Sequence, residues 1–180
     1  MTVPFVVLVA FAIAALTGVG GGSSPESTNG PLPAISAPDP PHAAAEAGPC
    51  TKVLDQLPLQ LGRLQSRVVH SETPFVVAWG DPAVVWSCGV DRPKDLRRTS
   101  TAEYITAGPQ NGPFYDVTST GDANVFTTVD RGPYISITVP KQYQGSDVVP
   151  PISRAIAKVL PAVCSTDPAA PENKRCTRRP

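Results

Sequence analysis

The placement of proline constrains this chain more than any other feature, because proline fixes φ and has no backbone N–H to give to a helix or a sheet ladder. The 22 prolines among 180 residues are bunched. From Gly21 to Pro49, 21 of 29 residues are Pro, Gly, Ser or Ala, with one Leu, one Ile and no aromatic residue. So little apolar surface cannot offset the entropy of ordering, and residues 21–49 are predicted to be a disordered tether. The folded region is then expected from Cys50 to about Cys164, room for one ordinary domain. A polar tail, residues 165–180, follows with Lys174, Arg175, Arg178 and Arg179.

Ahead of the tether, residues 1–20 carry the only long apolar run, Val3 to Val19, with no charge in it. It is slightly short of the roughly 20 residues that span a bilayer comfortably, and it fades into Gly20, Gly21, Gly22 and Ser23. That reads as an export signal, either cleaved or kept as a membrane anchor. No Lys or Arg follows Met1, a departure from the usual signal, and no cysteine follows the run, which argues against a lipid-modified N-terminus. The expected location is secreted or attached to the cell envelope, outside the cytoplasmic membrane. Charge sums to zero, 15 basic against 15 acidic. Nucleic acid is therefore not an expected partner, and the membrane is one only through the N-terminal segment.

The four cysteines, Cys50, Cys88, Cys164 and Cys176, are an even number in an exported chain and favour two disulfides, with three pairings open. No two lie at metal-ligand spacing, and His42 and His70 sit far from useful partners in sequence, so no metal and no cofactor is expected. Cys50, Val53, Leu54 and Leu57 fall on one helical stripe that stops at Pro58. In Val84–Cys88, Cys88 points where Val84 and Trp86 point. If that face is the core, a cysteine opening a docked helix reaches it, so Cys50 is expected to pair with Cys88, stabilising the domain by about 3 to 4 kcal/mol. Cys164 with Cys176 is the default second pair.

Further strand signals are Arg67–His70, Phe75–Ala78, Tyr104–Thr106 and Phe114–Thr118, with a charged loop over Asp91–Thr101. Asn124–Val129 and Tyr134–Val139 flank Asp130, Arg131, Gly132 and Pro133 and read as a hairpin. Ile135, Ile137 and Val139 alternate there with Ser136 and Thr138, the mark of an antiparallel sheet with one wet face. Gly145, Ser146 and Asp147 supply a turn and a cap, after which Ile152, Ala155, Ile156, Val159, Leu160 and Val163 line one face of a helix that Pro161 kinks or ends. The fold class is α+β: a small antiparallel sheet of about four or five strands covered by a short N-terminal helix and a C-terminal helix.

No catalytic signature is present, neither a nucleophile elbow nor a phosphate loop nor a zinc-protease motif. His70 reads as an exposed strand residue. Asp81, in the turn Trp79-Gly80-Asp81-Pro82, either caps that turn or faces a ligand. Arg131, at the hairpin tip, is a candidate contact for an anion or carboxylate, and Tyr134 beside it a stacking face. Arg92, Lys94, Arg97 and Arg98, offset by Asp91 and Asp95, read as solvated loop. Trp79, Asp81, Arg131 and Tyr134 are the binding candidates.

Several spaced words resemble an actinobacterial, mycobacterial-type family of exported proteins known as domain of unknown function 3515. They are Cys50 with Leu54, Leu57 and Pro58; Trp79-Gly80-Asp81-Pro82; Cys88-Gly89-Val90; Phe126-Thr127-Thr128 with Arg131; and Tyr134 through Pro140. The resemblance covers Cys50 to about Leu160 and implies a secreted or membrane-attached envelope protein; it adds location, not mechanism. The leading expectation is a non-catalytic binding or accessory module for an unknown envelope component. The alternative is a hydrolase or transferase acting on an envelope glycan or peptide through carboxylates such as Asp81, Asp116 and Asp130. Two of these 5 to 10 Å apart in one deep cleft would favour the enzyme, by the spacing logic of glycosidases.

Overall fold

The structure is a computed structural model that describes residues 30–94, 96, 103–105 and 112–162. The apolar run Val3–Val19, residues 21–29 of the tether, Arg97, Arg98, Cys164, Cys176 and the tail lie outside the described residues. The chain divides into two compact units at Pro31, and the second holds every element named below. In chain order these are β1 (Ile35–Ser36), α1 (Ala47–Leu54), β2 (Gln60–Leu61), β3 (Leu64–Arg67), β4 (Val69–His70), β5 (Val76–Trp79), β6 (Val84–Cys88), β7 (Glu103–Tyr104), β8 (Phe114–Thr120), β9 (Ala123–Thr128), β10 (Ile135–Pro140) and α2 (Gly145–Val159).

Among the described residues, seven strands form one antiparallel sheet in the order β3-β5-β6-β10-β9-β8-β7, and β2 extends it by a hairpin onto β3. This is more than the four or five strands expected. The additions are edge pieces of two to four residues, too short to display a period of their own, ordered by a longer neighbour. The predicted hairpin is present as β9 and β10, with Ile137 opposite Phe126.

Register fixes which face each residue joins. Trp86 stands opposite Ile137 on one side and Val77 on the other, and Cys88 stands opposite Ile135. This face packs on both helices. From α2 it takes Val148, Val149, Ile152 and Ile156, and from α1 Cys50 and Val53, all buried. Cys50 and Cys88 form a disulfide with Cα atoms 5.7 Å apart, as their shared face requires. Trp79 is fully buried and its indole N–H donates to Pro58 O at 3.0 Å, tying the end of β5 to the chain that leaves α1.

Both helices differ from expectation at their starts. α1 begins at Ala47, three residues before Cys50, with Pro49 in its first turn, where a missing N–H costs nothing. α2 begins at Gly145 after Gln144, without the side-chain cap read into Ser146 and Asp147, and keeps Pro150 and Pro151 inside before ending at Val159.

The larger correction concerns the tether. Residues 32–46 fold against the sheet as a strap. β1 pairs in parallel with β4, the Arg67 guanidinium donates to Pro33 O at 2.5 Å, and both carboxylate oxygens of Asp39 accept backbone N–H groups, from Glu72 and Thr73 at 3.1 Å each. The His42 N–H donates to Gly89 O at 2.8 Å, and Ala43 is buried. Composition missed this because the strap brings little apolar surface of its own. It is held by hydrogen-bond partners that lie elsewhere in the chain.

Candidate functional site

Among the described residues, two of the concavities lie along the strap, and a third of about 390 Å³ lies between the β2–β3 hairpin and the start of α2. The first is a groove of about 500 Å³ between the strap and the sheet face turned away from the helices. Its floor is Val85 and Ser87 of β6 and Ser136 and Thr138 of β10, placed there because they alternate with the core residues Trp86 and Ile137. Its wall is the strap from Ile35 to Pro41, and Val90 closes one end. Among the described residues, the hydroxyls of Ser36, Ser87, Ser136 and Thr138 have no hydrogen-bond partner, and the last three are half-buried. Asp39 is the charged residue of the groove, and its carboxylate is engaged by the Glu72 and Thr73 amides.

The second concavity, about 200 Å³, continues past Val90 and is walled by His42, Glu46, Gly89, Arg131 and Tyr134. Gly89 makes the join possible. At φ +87° it adopts a conformation that strains an L-residue, and a Cβ there would stand 2.8 Å from Ala43 N. Its O accepts from the His42 N–H, and its N–H donates to Tyr134 O at 3.0 Å, so strap, β6 and hairpin meet at one residue. His42 Nε2 lies 3.0 Å from Asp91 Oδ1, both side chains being more than half exposed.

The sequence candidates separate in space. Trp79 and Asp81 lie at the β6 end where Trp79 pairs with Val84, whereas Arg131 and Tyr134 lie at the other end, where Ile135 pairs with Cys88. Four steps of strand rise put these ends roughly 13 Å apart. Asp81 accepts from Arg67 Nη1 at 3.0 Å, and the same nitrogen donates to Gly80 O at 3.1 Å. Tyr134 is half-buried on the second concavity. Asp116 stands opposite Thr127 and has a partner of its own. His70 is exposed in β4, opposite Ser36 of the strap.

Arg131 is not a solvated turn residue. It is 4% exposed, with Nη1 donating to Leu160 O and Nη2 to Gly112 O at 2.9 Å. Asp130, also 4% exposed, accepts the Phe114 N–H at 3.0 Å, and its Oδ1 is 3.7 Å from Arg131 Nε. Burial pushes the Asp130 carboxyl above its ordinary value, against the pull of the Arg131 charge and the Phe114 N–H. Burial likewise raises the Tyr115 phenol, which meets Ser153 Oγ at 2.8 Å. Asp130 and Arg131 thus hold the end of α2 and the start of β8 to the hairpin.

A family model described as a protein of unknown function, DUF3515, matches residues 1–164. The chain belongs to the DUF3515 family. No curated protein and no solved structure matches it. Within this DUF3515 chain, no group of three or more His, Cys, Asp or Glu among the described residues could hold a metal ion. No helix among them is long and apolar enough to cross a membrane.

Sequence reasoning missed three residues that build these concavities. His42 and Glu46 were hidden in low-complexity sequence, although their i, i+4 spacing just ahead of α1 is a usable signal. The Asp39 contact has no local signal, because its partners lie more than thirty residues away.

Proposed function

We propose that this DUF3515 protein is a non-catalytic binding module of the extracytoplasmic envelope of an actinobacterium, with the strap groove as its ligand seat. The observation that carries the reading is the ready-made groove, whose floor presents half-buried hydroxyls that have no partner among the described residues. Preformed cavities of 300–1,000 Å³ with a few placed polar groups are the usual form of a ligand site, by the general size range. The arrangement of the carboxylates supports the same reading. Asp81 is bound by Arg67 at one end of β6, and Asp130 is buried beside Arg131 toward the other. Export is supported by the apolar run at Val3–Val19 and by the buried Cys50–Cys88 disulfide, which persists in oxidising compartments. Tyr134, half-buried at the adjoining cavity beside the buried Arg131, is positioned to extend the seat.

The test is co-sedimentation of the purified full-length chain with isolated wall and membrane fractions. Saturable binding is expected, and Ser136→Trp, which fills the groove from an outward strand position, removes it. Turnover of an envelope glycan or peptide that Asp81→Asn abolishes would replace this reading with the enzymatic one.

A further inference from the structure

We infer that the ligand of the strap groove is an uncharged polyhydroxylated chain, a neutral oligosaccharide in chemical class. This rests on the reading of the groove as the binding seat and goes on to name what it takes.

Charge gives the first discrimination. Among the described residues, the groove's one carboxylate, Asp39, already receives two backbone N–H groups, and no Lys, Arg or His lines the cavity. An anionic ligand would lose its hydration there with no opposite charge to replace it, and a cationic one would find only Asp39, whose two oxygens are already engaged by the Glu72 and Thr73 amides. Hydroxyl geometry gives the second. Ser87 and Ser136 are directly opposed across β6 and β10, and Thr138 follows two residues along the same face. Each hydroxyl both donates and accepts, and so does each sugar hydroxyl, so the two sets satisfy one another in either direction. An acyl chain laid over this floor would bury the same hydroxyls unpaired, which is unfavourable.

Backbone accounting separates a glycan from an extended peptide. β6 is paired on both sides, by β5 and β10, and β10 by β6 and β9, so the floor offers no free edge for an added strand. The strap offers little more, since Pro38, Pro40 and Pro41 have no N–H. What remains is side-chain hydroxyls set among Ile35, Pro38, Val85 and Val90, which suit the alternating O–H and C–H surface of a sugar. Because these short side chains stand on paired strands, the site is preorganised. Tyr134 lies just beyond Val90 and supplies a ring face for a further sugar unit.

The experiment uses the full-length protein, ¹⁵N-labelled, in a phosphocholine detergent that carries no sugar. It is titrated separately with chitotriose, maltotriose, mannotriose, a hyaluronan tetrasaccharide and a proline-free octapeptide. At least one neutral trisaccharide is expected to shift the amides of Val85, Ser87, Ser136 and Thr138 saturably, leaving unmoved that of Arg63, which is exposed in the β2–β3 turn and outside the groove. Ser87→Ala, Ser136→Ala and Thr138→Val together are expected to weaken that binding on the order of a hundredfold, a few-fold per hydroxyl, while Arg63→Ala leaves it unchanged. If the triple variant unfolds early, Thr138→Val alone, which conserves shape, is expected to weaken binding a few-fold. Equal affinity in a folded variant, or groove shifts from none of the neutral sugars, overturns the inference. If the anionic saccharide, the peptide or the detergent shifts the groove amides instead, the groove is still a binding seat and its ligand class is wrong. If no probe shifts them and co-sedimentation also fails, the binding reading falls as well.

Discussion

The two faces of the sheet are built from the same strands and treated in opposite ways. On the helix side, Trp86, Ile137, Ile135 and Cys88 are fully buried against α1 and α2 and linked to α1 by the disulfide. On the strap side, their strand neighbours Val85, Ser87, Ser136 and Thr138 are half-buried under a roof that leaves about 500 Å³ open. One face is filled by large apolar side chains, and the other is covered without being filled. Stability should therefore reside in the first and, under the proposed binding reading, selectivity in the second.

The sharpest way to break this contrast is truncation within one strand. Trp86→Ala should cost about 3–5 kcal/mol, whereas Ser87→Ala, one residue on, should stay within about 0.5 kcal/mol, both by urea unfolding. Next in size is the covalent link: replacing Cys50 and Cys88 together by Ala should cost about 3 kcal/mol by the same measurement, with loosening concentrated at α1. Gly89→Ala should then cost about 1–2 kcal/mol from its left-handed backbone, plus displacement of Ala43. Hydrogen exchange should speed up at the His42 amide and hardly at all at Ile137. If the strap amides stay protected in this variant, Gly89 is not the strap's anchor.

The smallest effect concerns pH. The native pKa of Asp130 is raised above its unfolded value of about 3.9, so the folded state holds this proton more tightly. The resulting stabilisation is complete below the unfolded value and is lost as pH climbs through the raised native value. Asp130→Asn keeps an acceptor for the Phe114 N–H and should flatten that part of the urea-midpoint profile against pH. An unchanged slope would mean that another group carries it.

How much of this was legible depended on where the information lies. β6, β10 and α2 could be read because the apolar period in Val84–Cys88, Ile135–Val139 and Ile152–Leu160 is long enough to declare a face. The pairing of Cys50 with Cys88 followed from two such faces. β3, β4 and β7 carry two to four residues each and acquire structure from neighbours. The strap was illegible for a different reason: composition reports what a segment can bury by itself. Pro33 O, Asp39 and His42 are instead fixed by Arg67, by the Glu72 and Thr73 amides, and by Gly89 O. Arg131 was read from turn position alone, which gave no hint that Leu160 O and Gly112 O would come to meet it.

The strap is fastened unequally along its length. Its later end runs through His42 and Ala43 into α1, and there Cys50 is bonded to Cys88, the strand residue that Gly89 follows. Its earlier end holds on by the Arg67 bond to Pro33 and two backbone bonds from Ile35 and Ala37. A cover hinged at one edge opens from the other, so under the proposed binding reading a ligand enters from the Ile35 side and leaves by the same door.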